Sequence, residues 1–81
     1  MADKHPWTGL MHAADWFDDV SEYRQLCGDA QSQAHSGSAQ NFAHDMMLSA
    51  NLDGLMAPCS ERQMAYLCKL ADWEIPKRIP R

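Results

Sequence analysis

Apolar residues recur with a helical period in three stretches of the chain, and no stretch shows the strict alternation of a half-buried strand. In the first stretch, at about 100° per residue, Ala13, Trp16, Phe17, Val20, Tyr23 and Cys27 share one broad face. Asp15, Asp18, Asp19 and Glu22 project almost diametrically opposite. Arg24 falls within the apolar arc, where its stem can lie over the core with its head in water. With Thr8 as cap and Gly28 as stop, the pattern predicts a helix over residues 9–27. Residues 28–38 are small and polar without a period; they read as a flexible loop in which Ala30 to Ala34 can add a turn.

Ser38 is a suitable cap for a second helix over residues 39–52. Ala39, Phe42, Ala43, Met46, Met47 and Ala50 share its inner face, while Leu48 and Leu52 point elsewhere. A helix apolar on more than one side is either central to the bundle or carries an adhesive outer patch. Asp53-Gly54 closes it, and Pro58 lies in the connection that follows. Ser60-Glu61-Arg62-Gln63 then has the form of a capping box, with Cys59 and Met64 at the staple positions. A third helix over residues 61–74 turns Met64, Leu67, Cys68 and Ala71 inward, with Ile75 on the same line. Pro76 stops it and leaves a basic tail over residues 76–81. The expected fold is all-α: a small three-helix bundle in a single domain of residues 1–81.

Composition narrows the function more than the fold. At 81 residues the chain suits one domain with a thin core and little room for a substrate cleft, and dimerisation is compatible with that size. No run approaches the roughly 18 apolar residues of a membrane span, and the first residues have neither the basic nor the apolar region of a signal peptide. Cys27, Cys59 and Cys68 are odd in number and widely spaced, which reads as reduced thiols and a cytoplasmic home. Neither C-x-x-C nor H-x-x-x-H occurs, and His5, His12, His35 and His44 are scattered, so no metal or cofactor is expected. Cys27 and Cys68 fall on inner faces, where a thiol is inert as a nucleophile, and the glycines form no phosphate loop. No enzyme is expected.

Two surfaces remain as candidates. Residues 1–60 hold eight acids against two bases, whereas residues 61–81 hold three against five, so the net charge of −4 is unevenly spread. A ridge of Asp15, Asp18, Asp19 and Glu22, with Asp29 extending it, suits a Lys- and Arg-lined surface built for nucleic acid. The plainer alternative is a solvated outer face, with Asp15 favouring the helix start. On the third helix Arg62, Tyr66, Lys69 and Trp73 lie in a narrow arc opposite the core. Interleaved cations and rings suit nucleic acid or a protein interface. Against that, Arg62–Tyr66 and Lys69–Trp73 can be local cation–π pairs, with Trp73 folded over the bundle's end.

Phe42-Ala43-His44-Asp45-Met46, followed after a linker by Cys59-Ser60-Glu61-Arg62-Gln63-Met64-Ala65-Tyr66-Leu67-Cys68-Lys69-Leu70, resembles a two-helix pattern of small phage and mobile-element proteins. That pattern runs F-A-x-x-M … L-S-x-x-Q-x-x-Y/W-L-x-x-L, and anti-CRISPR proteins are among those that carry it. Cys59 stands where leucine is usual, and the acidic first helix has no counterpart in it. The resemblance implies a phage-encoded effector in the host bacterial cytoplasm. The resulting expectation is a non-enzymatic inhibitor that binds a CRISPR-Cas or other nucleic-acid-processing complex and covers its basic surface. The alternative is a small nucleic-acid-binding regulator using the third helix and the tail.

Overall fold

The computed structural model describes residues 11–80, in which three α-helices form the expected bundle: α1 (Val20–Gln33), α2 (Gly37–Asp53) and α3 (Glu61–Ala71). A 3₁₀ turn, Ala13–Asp15, precedes α1, and a second, Gly54–Met56, follows α2. Thr8, His5 and Arg81 lie outside the described residues.

The first helix begins far later than its apolar period predicts. Residues 11–13 give their backbone groups to a neighbouring segment: Cys59 N–H donates to the Met11 carbonyl at 2.8 Å, and Ala13 N–H to the Ala57 carbonyl at 3.0 Å. The Asp15 carboxylate turns back to accept from His12 N–H at 2.8 Å. Asp19 then caps the true helix, its side chain accepting from Ser21 N–H at 2.9 Å. Aspartate competes for backbone donors in this way, which favours caps and turns over helix interiors. The expected helix over 9–27 is therefore replaced by a turn, a bend and a helix starting at Val20.

At its other end α1 continues through Gly28 to Gln33, so most of the expected loop is helix and only Ala34 to Ser36 connect α1 to α2. Gly28 stays helical and faces α2, where a Cβ would stand 3.5 Å from the Met47 methyl, an ordinary contact distance. The shifted helix buries Tyr23, Leu26, Cys27 and Ala30, a regular i, i+3, i+4, i+7 stripe. Trp16 and Phe17 are also buried, as expected, but they reach the core from the turn and not from the helix.

Ser36, not Ser38, caps α2, its hydroxyl accepting from Ala39 N–H at 3.1 Å. The buried face of α2 is Ala39, Ala43, Met46 and Ala50, three small residues and one long, adaptable methionine. The capping box of α3 forms as read from the sequence: Gln63 N–H donates to Ser60 Oγ at 3.1 Å, and Ser60 N–H to Gln63 Oε1 at 2.9 Å. That helix ends at Ala71, three residues before the predicted end. Asp72 takes the left-handed conformation (φ 61°) and donates to the Lys69 carbonyl, while Trp73 N–H donates to Cys68. Those two bonds make a Schellman motif, with aspartate where glycine is usual. As a result Ile75, expected on the inner face, is 58% exposed.

The bundle is centred on α1, which packs against both α2 and α3. The latter two share far less, and meet through the rings of Phe42 and Tyr66, whose centroids are 4.9 Å apart. Beyond α3 the chain runs back across the molecule, and Ile79 N–H donates to the Asp15 carbonyl at 2.7 Å. No described helix is long and apolar enough to cross a membrane.

Candidate interaction surface

The carboxylates expected to form one ridge are divided among different tasks. Asp15 is held in the turn by His12 N–H and lies 3.9 Å from Arg78 of the returning tail. Asp29 is part-buried and accepts from Gln25 Nε2 and Trp73 Nε1, each at 2.8 Å. Asp18, Asp19 and Glu22 remain exposed, Asp19 with one oxygen engaged in capping. The anionic surface is thus shorter than the sequence implies, and it sits where α1 begins.

The second predicted stripe is broken by the early end of α3. Arg62 and Lys69 are exposed, and Tyr66 keeps 39% of its surface while packing on Phe42. Trp73 leaves this line altogether: its indole turns onto α1 to reach Asp29. Arg62 instead borders an open groove of about 360 Å³ lined by Trp16, Glu61, Met64, Ala65 and Ile75.

Three thiols lie in the interior, and they are chemically quiet. Burial pushes Cys27 up to about 11 and Cys59 up to about 12, in each case partly offset by the Tyr23 hydroxyl; Cys68 is raised by burial as well. At neutral pH they are protonated, and the thiolate needed for nucleophilic attack is absent. Tyr23 is raised far above the ordinary phenol range, first by burial and then by the neighbouring Cys59 and Cys27 thiols. Its hydroxyl finds no full hydrogen-bond partner, only those weakly accepting sulfurs. Among the described residues no three His, Cys, Asp or Glu side chains are grouped to hold a metal ion.

The surface that sequence reasoning underweighted lies at the end of α2. Leu48 and Leu52 project away from the buried face and are 46% and 84% exposed, and Met56 in the following turn is 59% exposed. The i, i+4 spacing of the two leucines, opposite four inward residues, was the signal for it. Exposed Asp45 and Asp53 lie on the same helix. Gly54 neighbours Val20: a Cβ on it would stand 3.7 Å from Val20 Cγ2, in ordinary contact. The start of α1, with Asp18 and Asp19, is thereby brought beside the end of α2. Between residues 11 and 61 the sole lysine or arginine is Arg24. The arrangement can offer another molecule apolar anchors within a negative field. No family model, curated protein or solved structure matches the chain.

Proposed function

We propose that the chain is a non-enzymatic protein-binding inhibitor that covers a basic, nucleic-acid-binding surface of another protein. The observation that carries this reading is the acidic end of the bundle, where Asp18, Asp19 and Asp53 are exposed around the Val20–Gly54 contact. Carboxylates gathered this way attract a Lys- and Arg-lined surface at long range and repel nucleic acid. Inhibition is by occlusion, as the resemblance to phage effectors implies, with a CRISPR-Cas or similar complex as target. The ridge differs from the one expected from sequence, since Asp15 and Asp29 are spent on contacts within the chain.

The test is capture from nuclease-treated bacterial lysate by the tagged protein, beside an Asp18→Asn/Asp19→Asn/Asp53→Asn variant, with mass spectrometry of what is retained. Asparagine caps a helix as well as aspartate does, so α1 survives the change. The reading expects a nucleic-acid-binding protein to be retained by the wild type and lost by the variant, and at raised salt. Equal retention by both, or retardation of labelled DNA or RNA by the isolated protein, contradicts it. Retardation abolished by Arg62→Ala/Lys69→Ala would favour the alternative regulator.

A further inference from the structure

We infer that the outward face of α2 with Leu48 and Leu52, together with Met56 of the turn that follows, seats an amphipathic helix of the partner protein whose apolar side chains are flanked by lysine and arginine. This rests on the reading above and names what the partner presents.

Three observations converge on that occupant. First, two leucines on one outward face of α2 are exposed. Leu48 and Leu52 stand one turn apart on α2, about 6 Å along the axis, and Met56 is exposed in the turn that follows the helix. That spacing matches i, i+4 anchors of a helix laid alongside. Secondly, α2 carries two acids, Asp45 and Asp53, and no lysine or arginine. Asp18 and Asp19 stand beside its end through the Val20–Gly54 contact, and Arg24 on α1 is the only lysine or arginine between residues 11 and 61. Thirdly, the same charges argue against other occupants. A second copy would set Asp45 and Asp53 against their own like charges, and a nucleic acid would be repelled throughout. A cationic amphipathic helix satisfies both the apolar stripe and its rim.

The probe is a fluorescein-labelled peptide of about 18 residues, long enough to be helical, with leucines on one face between lysines. Its anisotropy is titrated with the wild type, with Leu48→Asn/Leu52→Asn and with Asp45→Asn/Asp53→Asn. Circular dichroism establishes that each variant is folded, as substitutions on an exposed face permit. The inference expects wild-type binding to weaken at least about tenfold in the leucine variant, which removes two anchors where the loss of one can suffice. It also expects weaker binding in the asparagine variant. Equal affinity for wild type and leucine variant overturns the inference, as does a wild-type dimer in sedimentation that Leu48→Asn/Leu52→Asn disperses. The two proposals fail separately. If the captured protein depends on Asp18, Asp19 and Asp53 but not on Leu48 and Leu52, the inhibitor reading stands and this docking mode falls.

Discussion

The indole of Trp73 donates to the carboxylate of Asp29 at 2.8 Å, joining the segment after α3 to the middle of α1. Both side chains look like surface recognition residues in the sequence, and the fold uses each to hold the other. A hydrogen bond to a charged group contributes about 1.5–3 kcal/mol, more than a neutral one. A double-mutant cycle of Trp73→Phe and Asp29→Ala, read by urea unfolding, should therefore give a coupling of about 1 kcal/mol or more. Additive losses would mean that the bond does not form in solution.

Asp72 sits at the left-handed position that ends α3, where an L-residue crowds its own Cβ. Asp72→Gly should raise stability by about 0.5 kcal/mol or more, whereas Asp72→Val should lower it by about 1–2 kcal/mol. Urea midpoints at neutral pH measure both, and the same sign for the two would show that α3 does not end in this motif.

Stability should decline on the alkaline side. Cys27 and Cys59 lose their protons at about 11 and about 12 in the folded chain, against 9.0 as their ordinary value. Above about pH 9 the unfolded chain has shed thiol protons that the folded chain still holds, so unfolding releases protons and the folded state loses ground as pH rises. Below that pH both states hold these protons and the effect vanishes. Urea midpoints measured from neutral pH into this alkaline range should fall, and the fall should lessen in Cys27→Ala/Cys59→Ala. A wild-type midpoint that rises over the same range would contradict the burial of these thiols.

Tyr23→Phe should be tolerated. The hydroxyl is buried without a full hydrogen-bond partner, while the ring packs against Phe17 with centroids 5.7 Å apart. Removing the oxygen should leave stability unchanged or raise it by about 1 kcal/mol, because an unsatisfied buried polar group is itself a cost. A clear loss in thermal or urea unfolding would mean that the Cys27 and Cys59 sulfurs accept a stronger bond than their chemistry suggests.

The fold class was legible because three apolar periods and one capping box survive in the structure. Element boundaries were less so, and the misses share a cause. Asp15 and Asp19 fit an outer helical face by angle, but each prefers to capture a backbone N–H, and periodicity does not weigh that competition. Gly28 resembles a stop signal, yet it stays helical and packs within ordinary contact range of Met47 on α2. Such packing depends on a partner helix that local sequence does not reveal. The candidate surface moved for the same reasons: the ridge lost Asp15 and Asp29 to internal bonds, and the stripe on α3 lost Trp73 when the helix ended early. Leu48 and Leu52, already anomalous in the sequence, gained weight when α1 proved to be the central helix.

The central claim is that the end of the bundle formed by α2 and the start of α1 meets a protein. Site-specific photocrosslinking tests it most directly, with a benzoylphenylalanine at position 52 and, separately, at position 69 of the full chain in bacterial cells. The account predicts an adduct with a basic nucleic-acid-binding protein from position 52, suppressed when Asp18, Asp19 and Asp53 are changed to asparagine, and none from position 69. Adducts from position 69 alone, or adducts with nucleic acid, would contradict it.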